Sequence, residues 1–179
     1  MKLYKERFKK HFPDGCFFYR REISSTQKKI TGFLKQKDKI TLLIADQQTD
    51  GIGRYERKWF SPEGGLWFSI YFPFLLPENF PLLFARNLKQ AFKKKFGITV
   101  QVKKPNDLVY RGRKLAGFLL TRNFSKSFDF SILGIGINVN NEVNFDGINA
   151  ISIREILGKN LKLEDVFDEV LKTIIKTIK

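Results

Sequence analysis

The alternation of apolar and polar positions divides the chain into short strands and a few amphipathic helices. Cys16 to Tyr19, with Ile23, reads as a first strand. The hydroxyls of Ser25 and Thr26 ahead of Ile30, Phe33 and Leu34 then read as the N-cap of a short helix. Ile40 to Ala45 and Leu66 to Phe72 are apolar runs of strand length, the second ended by Pro73. From Pro81, the positions Phe84, Leu88, Phe92 and Phe96 recur every four residues. One helix face is therefore apolar, with Lys93 to Lys95 in its last turn and Gly97 just beyond it.

Val100 and Val102 alternate along a strand from Thr99 to Lys103. After the turn-forming Lys104-Pro105-Asn106-Asp107, the stretches Leu108 to Tyr110 and Lys114 to Thr121 make a hairpin about Arg111-Gly112. Phe128 to Leu133 is a further strand, running into Gly134-Ile135-Gly136-Ile137-Asn138-Val139-Asn140. Asn141 to Asn149 reads as a polar loop, and Ser152 caps a short helix to Leu157 that Gly158 closes. Leu163, Val166, Phe167, Val170, Leu171, Ile174 and Ile178 give a last amphipathic helix. Hairpin connections outnumber crossovers, so the fold class is α+β, a mixed and largely antiparallel sheet with flanking helices.

One stretch does not fit a scaffold. From Asp46 to Gly65 the chain connects two strands through four glycines and a proline, far longer than an ordinary hairpin loop. Gly51 and Gly53 suit positive φ and close backbone approach, letting successive N–H groups face an anion, and Arg54, Arg57 and Lys58 add positive charge. Asp107 and Lys114 flank the later hairpin, where they can share one side of the sheet as a metal-binding carboxylate and a phosphate-binding lysine. Such pairs across hairpins are usually surface ion pairs that contribute little.

At 179 residues the chain is long enough for a sizeable core in one domain, and its formal charge of +15 favours an anionic partner: nucleotide, nucleic acid, acidic protein or anionic membrane. The lysines are spread along the chain with no long single-sign tract. One cysteine and one histidine, Cys16 and His11, exclude internal disulfides and Cys/His zinc sites. The unpaired cysteine fits a reducing cytosol, the charged N-terminus is unlike a signal peptide, and no apolar run is long enough to span a membrane. A cytoplasmic protein without membrane attachment is expected.

In order and wording these motifs resemble the catalytic domain of biotin protein ligases. Gln48 to Arg54 followed by Arg57 to Leu66 is similar to that family's glycine-arginine signature and its continuation. Lys104 to Leu108 with Arg113 to Gly117 resembles the second signature, Gly134 to Asn140 the third, and Ser25-Thr26-Gln27 the early Ser-Thr-Asn. The resemblance spans about residues 17 to 171. It implies the fold of class II aminoacyl-tRNA synthetases and biotin synthetases, and a two-step reaction. Biotin and ATP give biotinyl-adenylate, and the biotinyl group passes to a lysine of a biotin carboxyl carrier protein, with Mg2+ as cofactor.

The resemblance also implies roles. Arg54 and Lys114 are the catalytic pair, bridging the biotin carboxylate and the adenylate phosphate. Ser25, Thr26, Gln27, Gln48, Gly51, Ile52, Gly53, Arg54 and Gly117 bind biotin: Ser25, Thr26 and Gln48 at the ureido ring, the backbone from Ile52 to Arg54 at the carboxylate, and Gly117 leaving room for the bicycle. Arg54, Arg57, Trp59, Asn106, Lys114, Ile137 and Asn138 bind the adenylate or ATP, with Trp59 closing over it and Asn138 reading the adenine edge. Asp107 places magnesium.

Three positions depart from the family. Ile52 replaces the first arginine of Gly-Arg-Gly-Arg, Lys104 replaces the tryptophan of Trp-Pro-Asn-Asp, and Gln27 replaces asparagine. A single catalytic domain over residues 1–179 is the expectation, without the helix-turn-helix or the C-terminal β-barrel common in the family. A lipoate ligase or octanoyl transferase on the related scaffold, or a non-catalytic ligand- or nucleic-acid-binding protein, are the alternatives.

Overall fold

Apolar faces set the architecture. The computed structural model describes residues 1–124, 128–144, 147 and 149–179, and its seven strands form one sheet in the order β1-β2-β3-β7-β6-β5-β4. The strands are β1 (Cys16–Ile23), β2 (Thr41–Gln48), β3 (Leu66–Phe72), β4 (Gln101–Lys103), β5 (Asp107–Tyr110), β6 (Arg113–Asn123) and β7 (Phe130–Ile137). Among them β1 and β2 run parallel and the other neighbours antiparallel, the mixed arrangement expected from the sequence.

On one face lie Leu42, Ile44, Phe68, Ile70, Phe118, Leu133 and Ile135. Helices α1 (Lys2–His11), α3 (Phe80–Phe96) and α5 (Leu163–Ile178) complete this core. Phe84 meets Phe118 edge-on at 4.8 Å and Phe167 meets Phe68 at 5.3 Å, joining α3 and α5 to the sheet. Each such fully buried ring contributes roughly 1.5–3 kcal/mol.

Helix α1 was not anticipated. Tyr4 and Phe8, four residues apart, are its buried contacts, and its charges converge with Lys172 on Asp168 of α5: His11 at 3.0 Å, Lys172 at 2.7 Å and Arg7 at 3.5 Å. Three apolar residues in a lysine-rich decapeptide, Leu3, Tyr4 and Phe8, give too weak a period to read locally; the partner helix stands at the other end of the chain.

The opposite face is covered only in part. Helix α2 (Thr26–Lys29) and the 3-10 turn Ile30–Phe33 cover a small cluster of Ile30, Leu43, Tyr71 and Ile132. Ser25 caps α2 by accepting from the Lys28 N–H, as its sequence suggested. Helix α4 (Ile153–Leu157) starts in the capping box of Ser152 and Glu155 and ends at left-handed Gly158.

Most strand limits shift by a residue or two from the sequence reading, and three shifts bear on the site. Strand β2 continues to Gln48, so the connecting loop begins at Thr49, and β1 runs unbroken to Ile23. Strand β7 extends through Gly134 and Gly136 to Ile137, because pairing on both sides, with β3 and β6, holds glycines that would not form a strand alone. Of the polar loop expected at Asn141 to Asn149, positions 145, 146 and 148 lie outside the described residues.

Candidate active site

The site begins as missing side chains. Ala45, Trp67, Gly136, Gly117 and Asp107 stand in register across β2, β3, β7, β6 and β5, and Leu43, Ser69, Gly134 and Leu119 form the next rank. These ranks share the face that α1, α3 and α5 leave uncovered. Three glycines, an alanine and a serine put a trough in that face. A cavity of about 270 Å³ opens over it.

Ser25, Thr26, Gln27, Gln48, Ile52, Gly53, Arg54, Arg57, Trp59, Asn106, Asp107, Lys114 and Gly117 all line this cavity, so most of the residues singled out in sequence converge. Three do not. Gly51 lies inside the loop, Ile137 is fully buried between β3 and β6, and Asn138 borders a second cavity of about 280 Å³. The Asn138 amide donates to the Lys114 carbonyl at 3.3 Å and accepts from Asn141 at 3.1 Å. The structure therefore gives Asn138 a loop-holding role that the expectation of adenine reading did not include.

The glycine loop is ordered by its own backbone. Gly53 N–H donates to the Arg57 carbonyl at 2.7 Å, Trp59 N–H to Gly51 at 2.8 Å, and Gln48 N–H to Ser61 at 3.0 Å. The two arms leave no room at Gly51, where a Cβ would lie 2.5 Å from the Trp59 carbonyl. Neither Gly51 nor Gly53 has the positive φ inferred from sequence, and Gly53 N–H is committed inside the loop instead of facing an anion. The left-handed non-glycine residues of the loop are Tyr55 and Glu56, at φ 55° and 56°, a conformation costing roughly 1–2 kcal/mol per residue. The tight tip they form carries Arg54 into the cavity, its guanidinium donating to the Tyr55 hydroxyl at 2.8 Å.

Lys114 reaches the cavity through an irregularity. Gly117 pairs with Asp107, and strict alternation would turn Lys114, three residues away, to the opposite face. A register shift between Leu108 and Val109 leaves Leu115 as an extra residue in β6, and Leu115 and Ala116 both enter the core. The phase reverses, and Lys114 Nζ comes within 3.0 Å of Asp107 Oδ2 and 4.9 Å of the Trp59 ring centroid. The Lys114 backbone is fixed by Asn149 O at 2.8 Å and Ile151 N at 2.9 Å.

Trp59 lies flat on the glycine floor. A Cβ at Gly136 would be 2.5 Å from its ring, and one at Gly117 3.0 Å. Gly117 thus makes room for Trp59, Asp107 and Lys114, all near its absent Cβ, as well as for any ligand. With Lys58 and Lys114, Trp59 borders both cavities and separates them. Among the described residues two buried polar atoms of this region have no hydrogen-bond partner, Trp59 Nε1 and Asp107 Oδ1.

At the other end, Gln48 Oε1 accepts from the Thr26 N–H at 2.7 Å while its nitrogen donates to Ser61 at 2.8 Å. Gln27 donates to Thr121 at 3.0 Å and to the Ile132 carbonyl at 3.3 Å, using both amide protons. It closes the trough beyond Gly134, with both amide protons already used within the protein. Ser69 joins Thr26 to Gln27. Ser69, Gly134 and Leu119 were missed as site residues, although the spacing of Gly134 and Gly136 already implied a bare strip on one side of a strand.

Among the described residues six cations, from Arg54, Arg57, Lys58, Lys103, Lys104 and Lys114, line the first cavity against one carboxylate, Asp107. A cavity with apolar walls, a polar closed end and a cationic mouth fits a small acid with a polar head. The model of the biotin/lipoate A/B protein ligase family matches residues 19–138. The chain belongs to this family.

Individual relatives agree. The chain is 38% identical over 110 residues to the bifunctional ligase/repressor BirA of Bacillus subtilis, covering 58% of this chain and 34% of that protein. It is 30% identical over 161 residues to biotin–protein ligase 2 of Arabidopsis thaliana, covering 77% and 48% respectively. Among solved structures, the biotin protein ligase from Aquifex aeolicus in complex with biotin and ATP is similar at a TM-score of 0.79 and 34% identity, over 91% of this chain and 70% of that one. The chain spans about a third to a half of the length of those two curated relatives. The family likeness extends to the sheet and helices, the class II synthetase-like α+β fold. No helix among the described residues is long and apolar enough to cross a membrane.

Proposed function

We propose that this chain condenses biotin with ATP to biotinyl-adenylate and then transfers the biotinyl group to a lysine of a biotin carboxyl carrier protein domain. The reading rests on one observation above others: Lys114 and Arg54 line one mouth of a cavity whose closed end is a hydrogen-bonding group of Thr26, Gln48 and Ser69. An acid bound with its polar head at that end presents its carboxylate to the cations. Family membership and likeness to a biotin- and ATP-bound ligase support the choice of substrates.

The difficulty of the first step is electrostatic, since a carboxylate oxygen must approach an anionic phosphate. Two unit charges about 4 Å apart repel by roughly 4 kcal/mol at an effective dielectric of 20. Lys114, leaving Asp107, and Arg54, leaving Tyr55, neutralise both groups as the carboxylate oxygen bonds to the α-phosphorus and pyrophosphate departs. The second cavity, beyond the Trp59 partition, takes the nucleoside side, with Trp59 shielding the mixed anhydride from water. The acceptor amine then attacks the acyl carbon, and AMP leaves.

Among the described residues no three His, Cys, Asp or Glu side chains could together enclose a metal. Magnesium does not need that. It keeps much of its water and takes phosphate oxygens, and one orphaned carboxylate oxygen, Asp107 Oδ1, fits a hydrated ion. Asp107 would hold it, and the ion would neutralise charge on the phosphates. The test is ATP–pyrophosphate exchange with biotin or lipoate, followed by mass-spectrometric detection of biotin on a carrier domain. Biotin-dependent exchange and transfer are expected. Exchange with lipoate alone overturns the reading.

A further inference from the structure

At the closed end of the cavity two hydroxyls stand in line between two amide oxygens. Gln48 Oε1 is 3.0 Å from Thr26 Oγ1, Thr26 Oγ1 is 3.0 Å from Ser69 Oγ, and Ser69 Oγ is 3.0 Å from Gln27 Oε1. Neither amide can turn round to supply a proton. Gln48 Oε1 also accepts the Thr26 backbone N–H, and the Gln27 nitrogen donates to the Ile132 carbonyl, so a flip would set donor against donor or acceptor against acceptor. Three oxygen–oxygen contacts therefore share two hydroxyl protons. Whichever way the hydroxyls rotate, one contact lacks a proton, while spare lone pairs remain. Such a group can accept hydrogen bonds from a ligand and has none to give.

Ser69 creates this shortage. It is fully buried and lines the cavity together with Thr26 and Gln48, but its hydroxyl is taken up by Thr26 and Gln27, so Ser69 acts on a ligand through those neighbours. We propose that Ser69 is a positioning residue: by inserting a second hydroxyl between Thr26 and Gln27, it makes the head of the cavity acceptor-only and selects ligands by their N–H groups. Resting on the biotin reading above, the groups selected are the two N–H donors of the cyclic urea. An alanine at this position leaves one proton for one contact, removing the shortage, and deprives Gln27 Oε1 of its donor.

The test compares biotin with its two cyclic carbamate analogues, in which one or the other urea N–H is replaced by oxygen at nearly constant shape. Calorimetric titration of the wild-type chain should show one or both analogues binding about tenfold weaker, the effect of a lost donor facing an acceptor. In Ser69→Ala, biotin should weaken by about tenfold and the discrimination should narrow to about threefold or less, with the KM for ATP in exchange unchanged. Unchanged discrimination, or a parallel rise in the KM for ATP, overturns the proposal, since general loosening would give the latter. Should Ser69→Ala fail to fold, Gln27→Met, which removes the Oε1 contact and leaves two protons for two contacts, carries the same comparison: narrowed discrimination supports the proposal and unchanged discrimination overturns it. A wild-type chain that binds no biotin removes the biotin reading and this inference together; one that binds biotin and the carbamates alike removes only this inference.

Discussion

Gly136→Ala separates the demands of the site from those of the fold. The added Cβ would lie 2.5, 2.6 and 2.7 Å from three atoms of the Trp59 indole, against an ordinary contact of about 3.5 Å. The ring must therefore rise by about 1 Å. It has little freedom to do so elsewhere, with the Lys114 ammonium 4.9 Å from its centroid and Trp67 edge-on at 6.2 Å. The ring stands beside Lys114 and walls the cavity, and a displacement of about 1 Å among positioning groups can cost about 100-fold in rate. The backbone effect has the other sign. Gly136 sits in a strand without positive φ, where alanine is favoured by about 0.5–1 kcal/mol, or about 1–4 °C in Tm for a chain of this size. Biotin-dependent pyrophosphate exchange should thus fall by about 100-fold while Tm in a thermal melt stays level or rises. Gly32→Ala, whose Cβ would meet nothing within 4 Å, is the control and should leave exchange unchanged. If Gly136→Ala retains exchange within about twofold of wild type, the indole does not need its glycine floor and the account of the site is wrong.

Other perturbations probe the remaining parts. Lys114→Ala and Arg54→Gly should each lower biotinyl-adenylate formation by about 100-fold or more, read by pyrophosphate exchange, with little change in Tm; undiminished biotinylation of a carrier domain would refute the assigned chemistry. Lys104, which lines the cavity where the family has tryptophan, should supply a cation that Ile52 does not, so Lys104→Ala should slow exchange several-fold; a wild-type rate would count against it. Asp168 ties α1 to α5. Burial alone would raise its carboxyl, but hydrogen bonds from Lys172 and His11 and the charges of Lys172 and Arg7 outweigh this and hold it below the ordinary carboxylate range. Because the folded state binds the proton less readily than the unfolded chain, the stabilisation is complete above about pH 4 and disappears as the pH falls through the depressed value. Asp168→Asn should therefore lower Tm at neutral pH, with the difference shrinking towards pH 3 in pH-resolved melts.

Local chemistry was legible in the sequence. The α+β class, most strand positions, the Ser25 and Ser152 caps, and the stops at Gly97 and Gly158 follow from short-range preferences, while the meeting of the motifs in one site was implied by the family resemblance that their order carries. What the residues do to one another depended on pairing. Asp107, Gly117, Gly136 and Trp67 become one rank of a floor only because four strands from distant parts of the chain align in a particular register. Lys114 faces that floor only because β6 carries an extra residue, which sequence alternation cannot reveal. The same holds for α1, whose two buried aromatics gain meaning from a helix over 150 residues away, and for Gly51, required by the facing arm of its loop and not by its own torsion. Sequence fixes which backbone conformations are inexpensive; tertiary structure decides which side chains share a face, because that depends on strand register and on contacts between residues far apart in the chain.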